Sequence, residues 1–134
     1  EAKKPFLGIC LGMQLFFEKS EEANSSSGLS LLNGSVKRFS AKYKIKVPHM
    51  GWNQIKKTSD KCPLLKGIKD GAFVYFCHSY YPDPQSREDI AALCDYGLEF
   101  TAVAWKENIY GVQFHPEKSQ AVGLKMLENF VNLC

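Results

Sequence analysis

The stretch FLGICLGMQLF, residues 6–16, constrains the fold more than any other part of the chain. An apolar run leads into Gly8-Ile-Cys10-Leu-Gly12 and good helix formers follow, so a buried strand over residues 5–10 is expected to turn directly into a helix over residues 11–22. Glycines on both sides of Cys10 remove Cβ atoms that would crowd such a turn. A side chain held at a strand-to-helix corner stands clear of the backbone, the geometry of a nucleophile elbow. The helix start favours a thiolate and aims backbone N–H groups at an oxyanion. Taken alone, the Gly-x-Cys-x-Gly pattern fits a buried structural cysteine as well as a nucleophile.

The remaining pattern is a mixture of strands and few helices. Residues 24–28 read as a loop, and strand-like pieces follow near residues 35–39, 43–47 and 53–56. Residues 61–68 allow a helical turn, and the near-continuous apolar run 72–78 reads as a central strand covered on both faces. Tyr81-Pro-Asp-Pro84 breaks the strand pattern. Strands are expected again at 90–94, 101–105 and 110–114, the last two joined by a polar turn at 106–108. Ser119 is placed to cap a final helix in which Leu127, Phe130, Val131 and Cys134 recur at helical spacing. With 134 residues, 45% of them hydrophobic, the chain reads as a single α/β domain over 1–134, with neither a repeat nor a dividing linker. Parallel strands need crossover helices and only two helices are clear, so the expectation is the C-terminal part of a fuller domain that has further βα units before residue 1.

Charge and composition exclude several functions. A net charge of +3 is too small for a nucleic-acid face. Lys42, Lys44 and Lys46 alternate with Tyr43, Ile45 and Val47, which reads as the solvated face of a strand. The apolar runs fall short of the ~20 residues of a membrane helix and the first residues do not form a signal peptide, so the chain reads as soluble and intracellular. Five cysteines without a paired spacing point to neither a disulfide framework nor a metal site, and Cys77 and Cys94 read as packed small hydrophobes.

A cysteine nucleophile needs a base and an orienter. The chain offers His49, His78 and His115. His115 ends the apolar strand 110–114 in the tetrapeptide His-Pro-Glu-Lys, so Glu117 can hold its imidazole in one tautomer. Alone this is an ordinary surface pair; with the elbow it becomes a Cys10, His115, Glu117 triad.

Gly8-Ile-Cys10-Leu-Gly12-Met-Gln14 and His115-Pro-Glu117 together resemble the two signatures of the class I, triad-type glutamine amidotransferases. Within that class, Pro48-His-Met-Gly-Trp-Asn53, Cys77-His-Ser-Tyr-Tyr81 and the run from Tyr110 to Ser119 resemble the glutaminase subunit or domain of imidazole glycerol phosphate synthase, of histidine biosynthesis. The resemblance implies a flavodoxin-like mixed sheet with flanking helices. It implies attack of Cys10 on the side-chain amide of L-glutamine, a thioester hydrolysed with His115 relaying protons, and ammonia passed to a (β/α)8 barrel cyclase, fused or separate. Carried over by position, Cys10 is the nucleophile, His115 the base and acid, Glu117 its orienter and the Leu11 N–H an oxyanion donor. Gly12, Gln14, Glu22 and the backbone of His78, Ser79 and Tyr80 border the glutamine pocket. Pro48, His49, Met50, Gly51, Trp52, Asn53 and Lys118 meet the cyclase. No cofactor, metal, nucleic acid or membrane is implied. Read without the resemblance, Gln14 and Glu22 are exposed helix residues, Trp52 is a core residue, and His49 is an interface, helper or structural histidine. The resemblance also implies a glycine-bearing loop ahead of the elbow that supplies a second oxyanion donor, so these 134 residues alone are expected to be poorly active or unstable. Other readings of the same residues are an amidotransferase feeding a different synthase, a cysteine peptidase, and a non-catalytic module docking through Trp52.

Overall fold

The computed structural model describes residues 4–21 and 27–134, so Glu22 and residues 24–26 of the loop expected at 24–28 lie outside the described residues. The elements are β1 (Phe6–Ile9), α1 (Leu11–Gln14), β2 (Phe17–Ser20), β3 (Leu32–Arg38), β4 (His49–Lys57), β5 (Phe73–His78), β6 (Tyr80–Pro84), β7 (Ile90–Asp95), β8 (Glu99–Lys106), β9 (Ile109–Val112) and α2 (Gln120–Leu133). Short 3-10 turns lie at Ala41–Tyr43, Pro63–Leu65, Arg87–Asp89 and Pro116–Lys118.

Six strands form a mixed sheet in the order β1-β9-β8-β7-β4-β5, and only the β1–β9 pair in it is parallel. The shortage of crossover helices is thereby explained, because antiparallel neighbours need only tight turns. β4 changes partner along its length: residues 49–54 pair with β5 and residues 55–57 with β7. The sheet curls at this change until β5 meets the segment after β9. There the His115 N–H donates to the Tyr75 carbonyl (2.9 Å) and the Tyr75 N–H donates to Ser119 Oγ (3.0 Å). A smaller sheet, β2-β3-β6, lies beside it.

Burial follows these layers. One core gathers Ile55, Val74, Phe76, Phe100, Val112 and Met126, drawn from β4, β5, β8, β9 and α2. A second gathers Met13, Phe16, Phe17, Leu32, Val36 and Ala104 under the small sheet. Helix α2 buries Gly123, Met126 and Asn129, and the Asn129 amide donates to the carbonyls of Leu64 and Lys66, 2.8 Å each. Gly123 allows a close approach, since a Cβ there would stand 1.8 Å from the Pro116 carbonyl oxygen.

Several sequence expectations change. The helix expected over 11–22 stops after one turn, because β2 pairs with β3 through Phe17 and Leu32 and buries two consecutive phenylalanines. Residues 43–47 form no strand: a 3-10 turn ends at Tyr43 and Lys44 has φ 52°, which an extended strand does not tolerate. Tyr80–Pro84 is a strand after all, and its prolines are accommodated because β6 lies at a sheet edge. β5 is not central but terminal in the large sheet, with Phe73 exposed. Val131 and Cys134 face outward, and Ser119 caps α2 by position only, its hydroxyl donating to the His115 carbonyl.

The largest core also holds two neutral rings. His49 and His78 are buried, with His49 Nδ1 3.0 Å from His78 Nε2, among Phe39, Phe76, Tyr96 and Phe100. Burial pushes His49 down to about 4 and His78 down to about 3. Both folded values lie below the unfolded one near 6.5, so the unfolded chain takes up protons first and stability falls as pH drops below ~6.5. Urea unfolding of the full-length protein is expected to give a free energy that decreases from pH 7 to pH 5, with a slope approaching ~1.4 kcal/mol per pH unit per histidine; a flat profile contradicts it. Gly123→Ala is expected to cost about 1–3 kcal/mol in the same measurement, through overpacking of α2 against Pro116.

Candidate active site

The parallel register of β1 and β9, Ile9 opposite Val112, carries Cys10 to the level of Gln113. The Cys10 N–H closes the last rung on the Val112 carbonyl at 2.8 Å. Cys10 itself is strained, with φ 55° and ψ −108°, a conformation that non-glycine residues adopt only where the surroundings enforce it. Gly8 enforces the corner from below: a Cβ there would meet Phe16 Cζ at 2.6 Å and the Gly12 backbone at 2.8 Å. Gly12 plays a different part from the one expected, because a Cβ on it would meet nothing within 4 Å. Among the described residues, open space therefore faces Gly12.

The half-buried Cys10 thiol has four polar neighbours. Gln113 Nε2 donates to Sγ at 3.5 Å, the Leu11 N–H also bonds the sulfur, the Cys77 carbonyl lies 3.7 Å away as an acceptor, and Glu117 lies close enough to be felt. Burial dominates and pushes the thiol up from its ordinary value, against the bonds from Leu11 and Gln113 that favour the thiolate. The thiolate expected from a helix start is not supplied by the fold alone. α1 is a single turn, too short for a full macrodipole. A base is needed.

His115 lies two residues beyond Gln113, at the start of the 3-10 turn Pro116–Lys118. Its Nδ1 is 3.1 Å and 3.3 Å from the two Glu117 carboxylate oxygens, so Nδ1 carries the hydrogen and Nε2 is the nitrogen able to take a proton. The ring is clamped from behind by the His115 N–H bond to Tyr75 and by Ser119, whose hydroxyl donates to the His115 carbonyl at 2.6 Å.

Gln14 is buried rather than exposed: its Nε2 donates to the Tyr80 carbonyl (3.2 Å) and to Gln113 Oε1 (3.1 Å). The His78 ring lies in the core with Nδ1 2.7 Å from the Tyr80 carbonyl, and the Ser79 carbonyl accepts from the Phe39 N–H at 3.1 Å. Gln113 escaped sequence reasoning, although a polar residue inside the apolar strand end Tyr-Gly-Val-Gln-Phe, fully buried, was its signal. Among the described residues, no three His, Cys, Asp or Glu side chains converge as a metal site.

A second face stands apart from the thiol. Met50 (60% exposed) and Trp52 (47%) project outward from β4, and Phe73 (55%) projects from β5 on the same face, whereas His49 turns inward. Trp52 packs edge-on against Tyr75 at 5.9 Å, and Lys118 Nζ sits 5.9 Å above the Tyr75 ring. Pro48 is half-buried, and Asn53 lies on the His49 side of β4, its amide directed at His49 Nε2 and the Asp95 carbonyl rather than at the outward face. Trp52 is thus a surface residue, and two of the six residues of the segment 48–53 are large exposed hydrophobics.

Residues 1–134 match the family profile described as "Glutamine amidotransferase class-I". The chain is 54% identical to the imidazole glycerol phosphate synthase subunit HisH of Methanosarcina acetivorans, over all of this chain and 66% of that protein. It is 53% identical to the protein of the same name from Bacillus cereus, over 96% of this chain and 60% of that one. The chain therefore spans a little under two thirds of the length of these relatives. In fold it is similar to the crystal structure of a glutamine amidotransferase from Thermotoga maritima, with TM-score 0.60 at 24% identity, over 97% of this chain and 46% of that one. With a strained Cys10 at the end of β1, a His115–Glu117 pair after β9 and one family profile matched from end to end, this chain is a member of the class-I glutamine amidotransferases.

Proposed function

We propose that the protein hydrolyses the side-chain amide of L-glutamine through a Cys10 thioester and delivers the ammonia to a (β/α)8 barrel cyclase that makes imidazole glycerol phosphate in histidine biosynthesis, in the cytoplasm. The observation that carries the chemistry is the strained Cys10 at the end of β1, level with the strand that leads into the Glu117-held His115. The names of the relatives support the pathway.

The geometry supports a definite sequence of steps. As Cys10 Sγ bonds to the amide carbon, its proton moves to His115 Nε2 and the carbonyl electrons become an oxyanion, which the Leu11 N–H holds. The raised thiol makes this transfer to a base necessary. Glu117 keeps the imidazolium in one orientation. Collapse of the oxyanion breaks the C–N bond, and His115 returns the proton to nitrogen, releasing ammonia. Water then attacks the thioester while giving a proton to His115; the C–S bond breaks, glutamate leaves and the thiol is restored. The open space beside Gly12 accommodates the substrate, and Gln14, its Nε2 already bonded, offers Oε1. Glu22, His78, Ser79 and Tyr80 complete the proposed pocket, the last three through their backbone. Met50, Trp52 and Lys118, flanked by Pro48, Gly51 and Asn53, form the docking face, and the apolar exposure of Met50 and Trp52 supports it.

Glutamate release by the full-length protein with a cyclase barrel is expected to fall to background in Cys10→Ala and on the order of 10²–10⁴-fold in Glu117→Gln. Turnover surviving in Cys10→Ala refutes the thioester. Trp52→Ala is expected to weaken barrel binding by about 2 kcal/mol, roughly 30-fold in Kd, by titration calorimetry; unchanged affinity removes β4 from the interface.

A further inference from the structure

The buried amides and imidazoles around the Tyr80 carbonyl form one continuous chain. On one side, Gln14 Nε2 donates to Tyr80 O at 3.2 Å and to Gln113 Oε1 at 3.1 Å, and Gln113 Nε2 donates to Cys10 Sγ at 3.5 Å. On the other, His78 Nδ1 is 2.7 Å from Tyr80 O, His49 Nδ1 is 3.0 Å from His78 Nε2, and Asn53 Nδ2 is 3.3 Å from His49 Nε2.

The direction of every bond follows from the carbonyl, which can only accept. Gln14 must turn its NH2 toward Tyr80, so Gln113 must turn its oxygen toward Gln14 and its NH2 toward the sulfur. His78 must carry its hydrogen on Nδ1, so its Nε2 accepts and His49 must also carry its hydrogen on Nδ1. The far end gives the same answer independently. Asn53 Oδ1 accepts from the Gln54 N–H at 2.8 Å and its Nδ2 donates to the Asp95 carbonyl at 3.0 Å, so an N–H faces His49 Nε2. Seven groups, on α1, β4, β5, β6, the corner between β1 and α1 and the loop after β9, therefore share one allowed arrangement.

We propose that the Tyr80 carbonyl is the node of a one-way hydrogen-bond chain that keeps a donor on the Cys10 sulfur, with Gln113 as that donor and Gln14, His78 and His49 as positioning residues. The inference rests on Cys10 being the nucleophile. A buried thiol resists ionising, and Cys77 and Glu117 both press against its negative charge. The bonds from Gln113 and Leu11 oppose them. Gln113 is a donor only while Gln14 is held, and Gln14 is held by a carbonyl that His78 anchors from the other side. The histidines do this as neutral rings. His78 is surrounded by His49, His115 and the core, all of which discourage its protonation, so the chain keeps its direction across the physiological range.

Two measurements on the full-length protein test this. In ¹⁵N-histidine-labelled wild type, two-bond ¹H–¹⁵N spectra are expected to show His49 and His78 both as neutral Nδ1–H tautomers at pH 7 and still so at pH 6. Either ring as the Nε2–H tautomer, or charged at pH 6, overturns the chain. In the second, Cys10 alkylation by iodoacetamide is followed against pH by mass spectrometry of the Cys10 peptide, which separates it from the other thiols. Gln113→Leu is expected to raise the midpoint by about one pH unit through loss of the donor. His78→Asn places an amide N–H where Nδ1 stood and is expected to keep the wild-type midpoint; His78→Gln places it nearer Nε2 and is expected to raise the midpoint. Equal midpoints in the two His78 variants, or an unmoved one in Gln113→Leu, overturn the proposal. Alkylation needs no turnover, so these shifts in a protein that releases no glutamate support the chain and sink the amidohydrolase reading alone.

Discussion

The parallel pairing of β1 with β9 is the constraint on which the rest of the site depends. Strands adjacent in the sheet but separated by most of the chain meet in one register, and the Cys10 N–H bond to Val112 is its final rung. A slip of one residue reverses the faces of a strand. Cys10 would then lie level with Phe114, whose ring belongs to the core, in place of Gln113. The same pairing lets one strand end carry the Cys10 thiol and its neighbour carry both the amide on the sulfur and, two residues later, the His115 imidazole.

Curling of the sheet adds the third wall. Because β4 hands over from β5 to β7 part-way along, β5 comes round to the segment after β9 and lends it the Tyr75 backbone. Polar groups are then taken out of water close to the thiol, and their cost is contained because none of the buried side-chain nitrogens and oxygens among the described residues lacks a partner. Dryness has a chemical effect too. Burial pushes the Cys10 thiol up from its ordinary value, against the donors that favour the thiolate.

The elbow and the His-Pro-Glu turn were legible because each is local: glycine spacing reports a corner, and a carboxylate two residues from an imidazole can reach it. The curl, the edge position of β5 and the one-turn α1 were not, since they result from pairings between distant segments. Good helix formers at residues 15–20 lose to a strand once Leu32 and Val36 offer Phe17 and Ser20 a partner. Lysine alternation at residues 42–46 imitates a strand, and the 3-10 turn at Ala41–Tyr43 with the positive φ of Lys44 shows otherwise. Gln113 was visible as a polar residue in an apolar run, but what it touches depends on β1 lying beside it. The spacing suggested that Gly12 relieves crowding at the corner as Gly8 does, but crowding depends on what the fold packs there, and only Gly8 has close neighbours.

The outward face shared by β4 and β5 has a consequence for the chain as a solute. Met50, Trp52 and Phe73 stand together on a sheet surface at a terminal strand of the sheet. Water gains by covering such a surface with anything that fits, including another copy, and apolar sheet margins are the places where folded proteins begin to aggregate. Left bare, this face limits how concentrated and how long-lived the free chain can be.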